Sequence, residues 1–212
     1  ESRNIGIDKS NGEFIAFLDD DDEWLPYKLE KQVPLFQNQK VGIVYSAISL
    51  FFSKYNFSYN TIPLKRGMIF KDLLIKNYVG GTVSVIIRRE ALNDIDNNKY
   101  FDPIFPAREE YDLWIRISKE WEIDYVNIPL VIAYYRNNLK RISSDINNYI
   151  DAIKLLNIKY KNIVQEILAS NGEKDRLSFQ QFFLGSQAIK IGDSKLSRRY
   201  YWNSFRINRN KK

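Results

Sequence analysis

A chain of 212 residues that is 44% hydrophobic and 15% aromatic has ample apolar material for a substantial core. It contains no cysteine and no histidine, which excludes disulfide scaffolds, thiolate chemistry, histidine-ligated zinc and any Ser-His-Asp triad. The net charge of +6 is unevenly placed: every charged residue from Lys195 onward is basic, and Tyr200, Tyr201, Trp202 and Phe205 interleave with them.

In chain order, Ser2 to Ser10 reads as the end of a helix stopped by Asn11-Gly12. Glu13 to Leu18 reads as a buried strand, and Pro26 opens a helix running to about Gln39. Val41 to Phe52 is mostly apolar and β-branched or aromatic, the pattern of a central strand. Asn56 to Pro63 reads as a loop, and Met68 to Tyr78 as a helix broken by Gly80-Gly81. Thr82 to Arg88 reads as a strand with a short helix after it. Pro103 to Ala107 is a loop, Arg108 to Trp121 an amphipathic helix, and Ile123 to Val126 and Leu130 to Tyr135 are short strands. Asn137 to Asn148 is polar. Three helical segments follow, near 147–170, 174–191 and 194–208, bounded or interrupted by Gly172, Gly185 and Gly192. The expectation is an α/β fold followed by an all-α segment. No run approaches the roughly 20 apolar residues of a spanning helix, and no signal peptide is visible.

The richest stretch is Phe14-Ile15-Ala16-Phe17-Leu18-Asp19-Asp20-Asp21-Asp22-Glu23-Trp24. An apolar strand ends abruptly in carboxylates, and strand ends of open α/β sheets are where ligands bind. Packed carboxylates repel unless a hard cation lies between them. Alternation along a strand puts Asp19 and Asp21 on one side, so the D-x-D pair is the expected site for Mg²⁺ or Mn²⁺ against a phosphate. A run of acids that is merely solvated is the competing reading.

In Arg108-Glu109-Glu110-Tyr111-Asp112-Leu113-Trp114-Ile115-Arg116-Ile117, Leu113, Trp114, Ile117 and Trp121 form one apolar stripe. Glu110 then sits at the helix start, on the edge of the sheet-facing side, where a general base could stand. Glu109 and Glu110 could equally serve only the helix dipole. Asp112 and Arg116 are spaced to pair along the surface. Gly80-Gly81-Thr82 either lines an acceptor cleft or makes a plain turn before a strand.

Taken together, Arg3-Asn4-Ile5-Gly6-Ile7, the run from Gly12 to Trp24, Lys28-Leu29-Glu30, Glu109-Glu110-Tyr111-Asp112-Leu113-Trp114-Ile115-Arg116 and Tyr134-Tyr135-Arg136 resemble the family 2 glycosyltransferases. These are inverting enzymes with a GT-A (Rossmann-like) fold. The resemblance covers roughly residues 1–140. It implies a catalytic domain over 1–140 with a helical extension over 141–212, and it assigns roles by position. Asp19 and Asp21 bind the metal and the donor's ribose and diphosphate, and Arg3 lies near the donor nucleotide. Glu110 is the catalytic base, and Gly81, Thr82, Glu109 and Trp114 lie toward the acceptor.

Three departures stand out. Glu110 replaces the family's usual Asp, shifting the carboxylate by about one carbon. Asn138 stands where the family often has a histidine near the diphosphate. The family's first strands, which hold the nucleotide base, have no counterpart before Arg3, and the first residue is Glu1 with Met68 the only methionine. The chain is therefore expected to be the C-terminal part of a glycosyltransferase, its sheet left with a raw edge.

The implied partners are a nucleotide-sugar donor carried on UDP and a glycan or lipid-linked acceptor. The basic, aromatic C-terminal segment reads either as a tail lying on an anionic membrane surface or nucleic acid, or as an amphipathic helix with a solvated basic face. The expected location is the cytoplasm, with peripheral contact on the inner face of a membrane through that helix as the functional reading. Nucleic acid is not an expected partner. The rival readings are an inactive remnant that binds acceptor or a partner protein, a nucleotidyltransferase-like metal–phosphate enzyme, and a basic nucleic-acid binder, against which the concentration of charge at one end argues.

Overall fold

The computed structural model describes residues 2–53, 56–93, 95, 100–135 and 145–209. The chain forms two compact units. One comprises Glu1–Phe70, Tyr78–Asp102 and Glu110–Leu139. The other comprises Lys71–Asn77, Pro103–Glu109 and Lys140–Lys212. The helical unit thus takes in two short earlier segments besides the C-terminal stretch.

The first unit opens with α1 (Ser2–Lys9). Ser10 closes it, giving its backbone N–H to the Gly6 carbonyl and its hydroxyl to that of Ile7, which satisfies two end carbonyls. The sheet then builds from β1 (Phe14–Ala16), β2 (Asp22–Trp24), β3 (Val41–Phe52), β4 (Phe57–Asn60), β5 (Ile86–Arg88) and β6 (Glu122–Tyr135). Their order is β1-β5-β3-β6-β2, with β4 paired to β3 outside this path. β3 and β6 run parallel and the other pairs are antiparallel. β3 lies at the centre because it can be covered on both sides: Val41 to Ile48 are all buried. β1 is an edge strand, with β5 its neighbour in the sheet among the described residues. It is shorter than the expected Glu13–Leu18, and only Ile15 in it is buried.

Several expected boundaries move, each for a local reason. The helix after Pro26 is α2 (Lys28–Gln32), followed by a 3₁₀ turn over Val33–Gln37. Pro34 has no N–H to continue the α ladder. The expected loop over 56–63 contains β4, which pairs Phe57 with Phe52 and Tyr59 with Leu50; Phe52 stacks between Tyr59 and Tyr135. The two expected strands over 123–135 are the single strand β6. Its register against β3 shifts around Ala47 and Pro129, so bulges absorb the proline that would otherwise end the strand. The expected strand over 82–88 is a 3₁₀ turn at Thr82–Ser84, with β5 limited to Ile86–Arg88. Of the remaining helices before β6, α4 (Glu90–Asn93) and α5 (Glu109–Ile117), past its first residue, belong to this unit, whereas α3 (Phe70–Ile75), past its first residue, belongs to the other. One core cluster gathers Phe36, Val41, Val44 and Ile86 beneath Phe14 and Leu35. Another gathers Ile48, Val83 and Val131 beneath Trp24 and Leu50.

The second unit contains α6 (Ile146–Lys159), α7 (Lys161–Ile167), α8 (Ser170–Lys190) and α9 (Ser194–Arg209). The first expected segment is thus split in two, at Tyr160, whose backbone leaves the helical region. Asp145 caps α6 by accepting from the Asn147 N–H at 2.9 Å. Gly172 and Gly185 lie inside α8 rather than interrupting it. A Cβ on Gly185 would fall 2.8 Å from the Tyr201 ring, so this glycine is what lets α9 seat its tyrosine against α8. Gly192, with φ +85°, turns the chain between the two helices. Among the described residues, no helix is long and apolar enough to cross a membrane.

Candidate functional site

β1 ends at Ala16, and the acids form a turn instead of prolonging the strand. The Asp22 N–H donates to the Asp19 carbonyl at 3.2 Å, placing Asp20 and Asp21 at the two central positions. The expected strand alternation of Asp19 and Asp21 therefore does not apply. The turn is fixed on its far side by β2. There the Asp22 carboxylate accepts from the Tyr134 N–H at 3.3 Å, and Glu23 accepts from the Tyr134 hydroxyl at 2.9 Å.

Arg3, expected near the donor, reaches this turn. Its guanidinium contacts both Asp19 oxygens, at 3.0 and 3.3 Å, and lies 5.7 Å from the centroid of the Phe101 ring. The neighbouring Asn4 brackets the Phe101 backbone, donating to its carbonyl at 2.8 Å and accepting its N–H at 2.9 Å. Phe17 meets the same ring edge-on at 5.3 Å. The Arg3–Asp19 pair is about one-third exposed on each side, the class of pair that contributes about 0.2–1 kcal/mol. It is weak enough to open for a ligand.

α5 is tied to the same frame. Its Tyr111, Asp112, Leu113, Trp114, Ile115 and Ile117 are buried. Arg116 pairs with Asp112 at 2.8 Å and donates to the Tyr100 carbonyl. A continuous path thus runs from Asp112 through Arg116, Tyr100, Phe101 and Asn4 to Arg3 and Asp19. The expected surface pairing of Asp112 and Arg116 is corrected: Asp112 is fully buried. Glu110, the expected base, is half-buried in the first turn of α5. Glu109 belongs to the other compact unit.

The residues assigned to the acceptor side divide. Trp114 is fully buried and gives its indole N–H to the Gly80 carbonyl at 3.0 Å. It presents no surface to an acceptor and instead anchors the Gly80-Gly81 turn. Thr82 is also buried, whereas Gly81 is exposed with open space above its Cα. Arg136, Asn137 and Asn138 lie outside the described residues.

The donor chemistry at the turn suits a hard divalent cation: carboxylate oxygens, with no soft ligand nearby in sequence. Among the described residues, no group of three or more metal-ligating side chains is assembled. Asp19 and Asp21 could therefore supply only part of a coordination sphere, and a diphosphate and water would complete it, the usual manner of Mg²⁺.

The buried roles of Lys28 and Gln32 were not anticipated; Lys28 entered only as part of the Lys28-Leu29-Glu30 resemblance. They are four residues apart on the buried side of α2, with Phe36 one further step along. The Gln32 amide donates to the Val44 and Ser84 carbonyls, at 2.9 Å each. Lys28 donates to the Gln32 side-chain oxygen and to the Ser84 carbonyl, with its ammonium 5.1 Å from the Trp24 ring. These bonds draw Ser84 out of the β3–β5 ladder and link the strand after the acidic turn to the segment after Gly81. Burial pushes the Lys28 pKa down to about 7. The one sequence signal was polar residues at core-facing positions of the stripe that ends in Phe36.

The profile of Glycosyl transferase family 2 matches residues 1–96, which include α1 and the acidic turn. The chain is 30% identical over 144 residues to the Escherichia coli UDP-Glc:alpha-D-GlcNAc-diphosphoundecaprenol beta-1,3-glucosyltransferase WfgD, covering 68% of this chain and 53% of that protein. It is 27% identical over 144 residues to the Bacillus subtilis putative teichuronic acid biosynthesis glycosyltransferase TuaG, covering 68% and 54%. The chain spans about half the length of these curated relatives. S. aureus TarS in complex with UDP-GlcNAc shares the fold, with a TM-score of 0.51 at 12% identity over 98% of this chain and 70% of that one. The profile match and the relatives in two bacterial species converge on one assignment: the chain carries a family 2 glycosyltransferase domain, matched over residues 1–96.

Proposed function

We propose that this chain carries the metal-binding and acceptor-side part of an inverting sugar transfer. The donor is a UDP-sugar and the acceptor a hydroxyl of a glycan or lipid-linked saccharide, met at the cytoplasmic side of a membrane. The observation that carries this reading is the turn Asp19–Asp22, with Arg3 on Asp19 and the Phe101 segment linking it to α5. The names of relatives support the substrate class: WfgD uses UDP-Glc and a diphosphoundecaprenol-linked acceptor by name.

In this reading Asp21 and Asp19 would hold Mg²⁺ or Mn²⁺, which when bound offsets charge on the diphosphate. Arg3, released from Asp19, adds a guanidinium to the phosphate side. The Glu110 carboxylate takes the proton of the acceptor hydroxyl as its oxygen forms the new bond to the anomeric carbon. The bond from that carbon to the diphosphate breaks, and the leaving nucleoside diphosphate keeps the electron pair. One displacement inverts the configuration. General-base assistance of this kind contributes roughly 10²–10⁴-fold.

Calorimetric titration of the chain with UDP, with and without Mn²⁺, tests the reading. The expected result is metal-dependent binding that Asp21→Asn removes and Arg3→Ala weakens, while Glu110→Gln leaves it unchanged, because that carboxylate faces the acceptor chemistry. Absence of Mn²⁺-dependent heat, or its survival in Asp21→Asn, refutes the metal role and favours a remnant that does not engage donor.

A further inference from the structure

We infer that the outward side of α9 is a docking surface for anionic phospholipid headgroups. The inference rests on the helical unit alone and not on the sugar-transfer reading. α9 seats one side on α8. Ser197 and Ser204 are buried, the Ser178 hydroxyl bonds to the Ser204 carbonyl at 3.1 Å, and the Tyr201 hydroxyl lies 3.1 Å from that of Ser186. At about 100° per residue, the opposite side gathers Lys195, Arg198, Arg199, Trp202, Phe205, Arg206 and Arg209 within about a third of the circumference. All seven are exposed. From Ser194 to the end of the chain there is no acidic residue, and none of these five cations is ion-paired among the described residues.

Trp202 stands on the midline of this strip and Phe205 at its edge, two large rings that the fold leaves uncovered. Trp202 is 57% and Phe205 53% exposed, and they stack on each other with centroids 5.6 Å apart. Guanidinium groups match phosphate oxygens. An indole flanked by arginines suits the headgroup zone of a bilayer, where amphipathic rings and long basic side chains both settle. A helix lying flat can bring all five charges to the surface at once, and juxtamembrane charges of this kind add up. Single-stranded nucleic acid is the other polyanion to consider. Its binding surfaces use separate ring faces spaced along a strand, whereas here one face of each ring is covered by the other. The pair forms a single apolar wedge.

The test is co-sedimentation of the full chain with vesicles of equal parts phosphatidylglycerol and phosphatidylcholine, against phosphatidylcholine alone. Expected is binding to the anionic vesicles that falls roughly tenfold or more between about 0.1 and about 0.5 M salt, with little retention on neutral ones. The double substitution Arg198→Glu/Arg206→Glu should lower the partition roughly tenfold or more. Reversal of two exposed lysines elsewhere in the helical unit, Lys161→Glu/Lys174→Glu, should have little effect. Circular dichroism checks that both variants keep their helices. Trp202→Ala/Phe205→Ala should weaken anionic binding, and quenching of tryptophan fluorescence by brominated lipid should disappear in Trp202→Phe. Equal retention on neutral vesicles, no retention at all, or indifference to the α9 reversal overturns the inference. Tighter binding to a single-stranded oligonucleotide than to anionic vesicles overturns it in favour of nucleic acid.

Discussion

Urea unfolding of this protein is expected to become harder as pH rises from 6.5 to 9.5, by on the order of 3 kcal/mol, and Lys28→Met should remove most of that slope. Lys28 is 1% exposed, and its neighbours are the Trp24 ring, the Gln32 oxygen and the Ser84 carbonyl, with no carboxylate paired to it among the described residues. Burial lowers its pKa from 10.5 to about 7. Between those two values the unfolded chain binds the proton and the folded one does not, so stability rises with pH across that window and is flat below it. Above pH 10 a second group opposes this. Burial raises the pKa of Tyr45, so its phenol stays protonated when folded but ionises when unfolded, and stability falls there. Stopping at pH 9.5 isolates Lys28. In Lys28→Met the Gln32 oxygen loses a donor, an effect of about 1–3 kcal/mol. The variant should therefore be the less stable form at pH 9.5 and the more stable one at pH 6.5. A wild-type midpoint that does not move over this range, or a slope that survives in Lys28→Met, rules the account out.

Asp112→Ala is expected to destabilise the fold by about 3 kcal/mol or slightly more, the range for leaving one member of an interior ion pair without its partner. The low end applies because the Arg116 side chain retains 17% exposure and can partly rehydrate. Asp112→Asn keeps an acceptor for the Arg116 Nε–H and should lose about half as much. Asp112→Ala/Arg116→Ala should fall well short of the summed single effects, since the second change removes the stranded cation. Additive losses in that cycle would mean the pair is not coupled. Because Arg116 also holds the Tyr100 carbonyl, Asp112→Ala should additionally weaken Mn²⁺-dependent UDP binding, through the Phe101 segment that carries Asn4 and Arg3.

The parts of the fold that were legible in sequence are those with one dominant physical cause. Val41 to Phe52 is mostly apolar, broken only by Ser46 and Ser49 besides Gly42, and its bounds are those of β3. α8 and α9 follow from long helical spacing ended by Gly192. What escaped depended on distant partners. All four residues of β4 are exposed, so no burial pattern marked it, and only the open flank of β3 makes it a strand. Thr82 to Ser84 has strand-like residues, but Gln32 claims the Ser84 carbonyl from a helix some fifty residues earlier. The acidic run was legible as a site, but its local geometry was not: a turn closed by the Asp19 carbonyl replaces strand alternation. Arg3 was placed near the donor by resemblance, and the fold brings it onto Asp19. Trp114 was assigned toward the acceptor by resemblance, although the apolar stripe it shares with Leu113 and Ile117 already put it on the packed side of α5. Its bond to the Gly80 carbonyl could be read only from the fold.

The clasp between α8 and α9 also bears on the order of assembly. Its contacts join residues close in sequence: Ser186 to Tyr201 is a separation of 15 and Ser178 to Ser204 one of 26. The strand holding the acidic turn must instead find a partner 112 residues away, at Tyr134. Loop-closure entropy grows with that distance, and rates of folding fall as contacts become less local. The helical hairpin is therefore expected to form early, and the carboxylate turn to reach its final shape only when the long-range zipping of β2 onto β6 is finished.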